Sequence, residues 1–243
     1  MVIQLLTSHS SVRDYTDYQL TEQDLSELLE AGQHAASSHF VQAYSVVWVR
    51  DSKKREKLGE LSKNPKQIVG AGAVLLFCAD FCRLEEAAKL HGKEIPLGPA
   101  ENLLVAVTDV ALFAQNVAVA AESKGYGICY IGGVRNAPDE ISKLVGLPKG
   151  VFPTFAMTIG VPAKRNEVKP RLPLEAILHE DTYDQEKYPA LLKNYDETMK
   201  TYYHNRGSNQ KDETWTQQMA DYLEKPHRPH MKEFLKNQGF TVE

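Results

Sequence analysis

Four short clusters in the sequence carry residue types suited to an anion or to a ligand that approaches the backbone closely. The first, His9-Ser10-Ser11-Val12-Arg13, places an imidazole, hydroxyls and a guanidinium within five residues. Such a set can clasp a phosphate, with the planar Arg13 fork reaching two oxygens, and it equally suits a solvated loop. The second comprises Lys164-Arg165 and Lys169-Pro170-Arg171-Leu172-Pro173. Its prolines stiffen the loop, so that Lys169 and Arg171 lose less entropy on meeting an anion; a solubilising basic loop would read the same. The third, Ile128-Cys129-Tyr130-Ile131-Gly132-Gly133, ends a strand on paired glycines, which admit a ligand to the backbone or simply make a turn. The fourth, Arg206-Gly207-Ser208-Asn209-Gln210-Lys211, mixes cations with flexible polar residues, as a phosphate site or a mobile loop would.

Other chemistries are poorly supported. Neither G-x-G-x-x-G nor G-x-x-x-x-G-K-[ST] occurs, so a classical dinucleotide fold or phosphate loop is not indicated. His227 and His230 lack companion ligands, and Cys78 with Cys82 makes only half of a structural zinc set, so no metal is expected. No Ser-His-acid or Cys-His signature points to a side-chain nucleophile. With 28 Lys and Arg against 32 Asp and Glu, the net charge of −4 offers no field for nucleic acid or an acidic membrane. Three cysteines make no disulfide framework and fit a reducing cytoplasm. The apolar stretch from Leu103 to Ala121 is long enough to span a bilayer, but Asp109, Gln115 and Asn116 interrupt it and favour a buried helix.

The elements that must position these clusters are legible as patterns. Thr21 with Asp24 opens a helix of capping-box type, continued by Leu25, Leu28, Leu29 and Gly32. Strands are predicted over Tyr44–Val49, Ala73–Cys78, Gly127–Ile131 and Thr154–Val161. Asp51 caps a short charged helix. A long alanine-rich helix runs from about Pro99 to Lys124 and ends at Gly125 and Gly127, and a shorter one covers Pro138–Val145. Lys164 to Pro173 reads as an extended loop. Beyond His179 the chain turns to Tyr, Lys, Glu and Gln, with helical stretches near 186–203, 213–223 and 229–237. The pattern is an α+β core with a helical C-terminal extension.

In their order and spacing these pieces resemble the flavin-dependent nitroreductase superfamily, in its NADPH-dependent branch of oxygen-insensitive nitroreductases and flavin reductases. The resemblance spans nearly the whole chain. It rests on His9–Arg13, Ser37-Ser38-His39-Phe40-Val41-Gln42, Phe77-Cys78-Ala79-Asp80-Phe81, Ala114-Gln115-Asn116, Tyr130–Asn136, Lys169–Pro173, Tyr202-Tyr203 and Arg206–Asn209. It implies a nitroreductase-like α+β fold with a central mixed sheet, built as an intertwined homodimer with FMN at the interface. Residues 1–180 would form the FMN-binding core. Residues 181–243 would form a helical extension contributing to NADPH and substrate binding, within one structural domain overall.

Carried over residue by residue, His9, Ser11, Arg13, Lys169 and Arg171 look like polar contacts to FMN. Ser37, Ser38 and His39 look like the segment reaching the flavin from the other subunit. Tyr130, Ile131, Gly132 and Gly133 look like strand-end backbone beside the ring, and Arg206 and Arg228 like the cations that receive NADPH. The glutamine usual in the family falls here on Pro65, and Gln67, two residues later, is the candidate replacement. Ala36 and His39 stand where serines are commoner.

The resemblance implies a ping-pong reaction. NADPH would reduce FMN, and a nitroaromatic, quinone, free flavin or oxygen would then take the electrons, with no side chain acting as an obligatory catalyst. Two other classes stand beside it: a flavin-binding sensor without turnover, which fits the same clusters, and a helical interaction scaffold, which the polar C-terminal extension suggests.

Overall fold

The computed structural model describes residues 2–207 and 210–241. It divides into two compact units, Met1–Asn166 with Arg228–Glu243, and Glu167–His227.

The first unit is built on a four-stranded sheet of β1 (Tyr44–Trp48), β2 (Ala73–Asp80), β3 (Gly127–Ile131) and β4 (Val151–Gly160), in the order β1-β2-β4-β3. Every neighbouring pair is antiparallel. This corrects the mixed sheet implied by resemblance: among the described residues, β2 and β4 each run opposite to both their neighbours, and no parallel pair forms. β2 is buried along its whole length, as its unbroken apolar run requires of a central strand covered on both faces. Pro153 enters β4 beside a register shift at Phe77/Cys78, where an irregular ladder tolerates a missing donor.

Helix α1 (Val2–Thr7) leads into the His9–Arg13 loop. Helix α2 (Glu22–Gln33) starts on the expected capping box, in which Thr21 Oγ1 accepts from Asp24 N and Asp24 accepts from Thr21 N. Asp51 caps α3 (Ser52–Ser62) by accepting from Lys54 N. Two short helices, α4 (Pro65–Val69) and α5 (Cys82–Lys89), flank β2 in the chain. The long helix α6 (Ala100–Ser123) lays Ala106, Val110, Phe113, Ala114, Val117, Ala118 and Ala121 against α2 and the sheet. Gly32 on α2 permits this approach, since a Cβ there would stand 2.6 Å from the Phe113 ring. Among the described residues α6 is the one helix long and apolar enough to cross a membrane, yet its inner face belongs to the core. Helix α7 (Pro138–Val145) covers the other sheet face together with α3.

The second unit holds α8 (Tyr188–Asn205) and α9 (Trp215–Leu223). They close on Tyr195, Met199 and Tyr203, with Leu172, Tyr202 and Trp215 packed around them. The last helix, α10 (Met231–Asn237), belongs to the first unit and buries Phe234 in its core.

Candidate functional site

In the first unit the His9–Arg13 loop runs beside β3. Val12 N donates to Ile128 O at 2.9 Å, and a Cβ at Gly127 would lie 2.5 Å from Val12 Cγ2. Val12 is therefore the buried peg of the loop, while Arg13 stays exposed and His9 and Ser11 half-buried. Glu122, near the end of α6, meets His9 Nδ1 at 2.6 Å and leaves Nε2 for another partner. Ser11 O accepts from Asn166 Nδ2 at 2.8 Å, which ties the loop from behind and leaves its hydroxyl unengaged by that bond.

A buried polar network fastens this loop to the sheet. Tyr15 OH donates to Val12 O at 2.7 Å and meets Thr158 Oγ1 at 2.8 Å. Gln67 Nε2 donates to the same Thr158 Oγ1 at 2.9 Å, and Thr158 sits opposite Cys129 on β3. Gln67 is thus buried, its amide nitrogen occupied by the sheet. Burial pushes the Tyr15 phenol upward in pKa, so it stays a hydrogen-bonding strut at neutral pH.

β3 delivers Tyr130 and Ile131 to a turn over Gly132–Asn136. Ile131 is buried; Tyr130 OH donates to Gln115 Oε1 at 3.3 Å, and its ring meets Phe155 edge-on at 5.2 Å. Burial raises the Tyr130 phenol as well, which removes it as a ready proton source. The two glycines differ. A Cβ at Gly132 would press on the Arg135 guanidinium, at 3.1 Å, whose Nη1 donates to Thr154 O. A Cβ at Gly133 would collide with Ser62 O and stand 2.9 Å from Asn64 Nδ2. A Gly132 side chain would thus meet the end of another side chain, whereas Gly133 is glycine because the end of α3 packs on it. Arg228 is held at the same turn, its Nε donating to Asn136 Oδ1 at 2.8 Å.

Ser37, Ser38 and His39 lie elsewhere in this unit. Ser37 Oγ donates to Asp109 Oδ2 at 2.6 Å, and Ser38 N donates to Asp109 Oδ1 at 3.1 Å. Asp109 and Glu122 are thirteen residues apart on α6, so the anchors of the two loops are separated by about 20 Å along the helix axis. The structure brings the His9 loop, Gln67 and the Tyr130 strand end together, and it holds the serine segment apart from them within one chain.

In the second unit Lys169 and Arg206 share one aromatic platform. Lys169 Nζ lies 5.3 Å and Arg206 Cζ 5.0 Å from the centroid of the buried Tyr203 ring. Burial acts to raise the Tyr203 phenol, but hydrogen bonds with Lys169 and Gln218 outweigh it and lower the pKa. Arg171 Nη1 donates to Lys169 O at 2.6 Å, and Tyr195 OH donates to Pro170 O at 2.9 Å, which fixes the basic loop to α8. Ser208 and Asn209 lie outside the described residues. The sequence reading missed Glu122, Thr158, Tyr15 and Asp109. Only Asp109 carried a usable signal, because a carboxylate inside an apolar helix must be paired.

Comparison with known proteins places this arrangement. The nitroreductase family model matches residues 6–161, and that of the nitroreductase family C-terminal domain matches residues 169–243. A Cr(VI) reductase of Pseudomonas sp. (strain G-1) is 58% identical over 99% of both chains. An FMN reductase (NADPH) of Bacillus subtilis is 36% identical over 98% of both. The solved structure of B. megaterium NfrA1 superposes with a TM-score of 0.96 at 41% identity, covering 99% of each chain. The chain matches these relatives over essentially their full length, and it belongs to the nitroreductase family.

Proposed function

We propose that this chain is an FMN-dependent NADPH oxidoreductase that passes electrons from NADPH to small acceptors. The observation that carries the reading is the fastening of the polar His9–Arg13 loop to β3 and β4 by the Val12–Ile128 bond and the Tyr15–Thr158–Gln67 network. The relative named FMN reductase (NADPH) supports both cofactor and donor. The donor set fits a phosphorylated, ring-bearing ligand: His9, Ser11 and Arg13 lie on one loop, and that loop is bonded to β3, the strand that ends on Tyr130 and Ile131 just before Gly132.

When bound, FMN supplies the hydride and electron transfer, a chemistry that no side chain here performs. His9 Nε2, the Ser11 hydroxyl and Arg13 would bind the phosphate and ribityl oxygens, with Glu122 fixing the His9 ring. Lys169 and Arg171 would add positive charge that favours the electron-rich reduced ring. Tyr130, Ile131 and Gly132 would support the ring edge, and buried Gln67 acts through Thr158, as part of the floor. Arg206 and Arg228 would be the cations that receive NADPH, with residues 181–243 contributing to NADPH and substrate binding.

Two features support a homodimer. Helix α6 turns an apolar stripe outward, with Leu104 63% and Leu112 42% exposed. The serine segment, remote from the His9 loop in one chain, would complete the site of a second copy. Cytoplasmic location is supported by three free cysteines, and the packed inner face of α6 supports a chain outside the membrane. The acceptors would be nitroaromatics, quinones, free flavin or oxygen, joined by chromate on the strength of the 58% relative.

The purified protein is expected to carry flavin absorbance, or to gain it with FMN, and to oxidise NADPH in steady state with menadione, nitrofurazone or chromate. A colourless protein that takes up no FMN overturns the reading, and bound FMN without NADPH oxidation would favour a sensor. Arg206→Ala is expected to raise KM for NADPH by about 10- to 100-fold, the loss of one charge-assisted hydrogen bond. Parallel NADH kinetics should change little, and equal losses would count against recognition of the 2′-phosphate by Arg206.

A further inference from the structure

The Ser37–Gln42 segment has an unusual backbone. His39, Phe40 and Gln42 take positive φ values of 46°, 60° and 52°, although none is glycine. Left-handed residues of this kind persist only where surrounding contacts over-determine them. Here the contacts converge on one group. Asp109, 1% exposed and halfway along α6, accepts Ser37 Oγ and Ala43 N through Oδ2, at 2.6 and 3.1 Å, and Ser38 N through Oδ1 at 3.1 Å. Ser37 Oγ in turn accepts Gln42 N at 2.7 Å, so the carboxylate pins both ends of the segment. Among the described residues no cation lies within ion-pair distance of Asp109, and its partners are all donors of the loop.

We infer that Asp109 is a positioning residue for flavin binding: its carboxylate sets the conformation in which Ser38 and His39 meet the cofactor. The inference rests on the reading that this segment contacts FMN. It also accounts for a charge in an otherwise apolar helix. Each carboxylate oxygen faces a backbone N–H, so an isosteric amide must turn its NH2 toward one of them, whichever way it is flipped. Asp109→Asn therefore leaves a buried donor without an acceptor and releases one end of the segment. Ser37 has its hydroxyl spent inside this cluster, so it acts as a strut, while Ser38 and His39 remain the contact residues.

The test compares the full-length holoprotein with Asp109→Asn and with Val117→Ala, a fully buried α6 residue that packs on α2. FMN dissociation constant, visible circular dichroism of bound flavin, and Tm are measured on each. Asp109→Asn is expected to weaken FMN at least about tenfold and to change the flavin dichroism. Val117→Ala, at a similar loss of Tm, should hold FMN within about twofold. Equal FMN losses at equal Tm losses would make Asp109 a general core residue and overturn the inference. If Asp109→Asn does not fold, Ser37→Ala removes the strut alone: weakened FMN with altered dichroism supports the inference, and wild-type values for both overturn it. Ser38→Ala and His39→Ala separate the two claims. If they weaken FMN while Asp109→Asn leaves it intact, the contact reading stands and the positioning role falls. If neither changes FMN binding, the contact reading itself fails and the inference with it.

Discussion

Gly133→Ala is expected to lower stability by about 3 kcal/mol or more, the upper end of the cost of overpacking a site that cannot relax. At this chain length that is a fall in Tm of about 6–12 °C. The new methyl would meet the Ser62 carbonyl at the end of α3 and the Asn64 amide, and a backbone oxygen cannot swing aside. Gly132→Ala, one residue earlier, should cost less than Gly133→Ala, because its methyl presses on the end of the Arg135 side chain rather than on backbone. The cofactor should report the reverse order. Gly132→Val places bulk at the strand end proposed to support the flavin ring and should reduce flavin occupancy in a protein that still folds. Thermal melts followed in the far ultraviolet, with flavin absorbance on the same samples, check both halves. A Gly133→Ala protein that melts with the parent would show that the α3 end does not press on this turn.

The contrast between these glycines marks what sequence could and could not convey. Paired glycines after a strand announce close approach, but not whether the neighbour is a ligand or another piece of backbone; only the position of Ser62 decides. Local signals carried most of the elements. The Thr21/Asp24 box, the Asp51 cap, β3 over Gly127–Ile131 and α7 over Pro138–Val145 all stand where hydrophobic period and capping residues put them. Strand direction did not follow, because pairing depends on contacts between residues far apart, such as Phe77 with Phe155. The candidate site divides along the same line. His9, Arg13 and Lys169 could be singled out as polar types in short clusters. Glu122 beneath His9 and Thr158 between Tyr15 and Gln67 are ordinary residues in the sequence and acquire roles only through packing. Lys169 and Arg206, 37 positions apart and assigned to different ligands by resemblance, turn out to flank the same Tyr203 ring.

Leu112→Glu combined with Leu104→Glu should convert the protein to monomers. Both side chains lie on the outer stripe of α6, with Val107 between them, and α1 adds Val2, Ile3 and Leu6 as further exposed apolar side chains. If two copies pair through this face, each leucine withdrawn from the interface forfeits about 1.5–3 kcal/mol. The four new carboxylates per dimer would also have to be desolvated side by side. Together these losses should raise the dimer dissociation constant by at least about a thousandfold, equivalent to some 4 kcal/mol. Sedimentation velocity across micromolar concentrations reads this directly. In the single chain the substituted positions face solvent, so helix content should hold and any loss must come from assembly. FMN should be lost with the dimer, because the serine segment anchored on Asp109 stands about 20 Å along α6 from the anchor of the His9 loop and would have to come from the second copy. A folded monomer that retains FMN at parental affinity would place the whole flavin site within one chain and remove the need for shared serines. A variant that remains dimeric would move the interface off this helix, leaving its apolar stripe without a purpose.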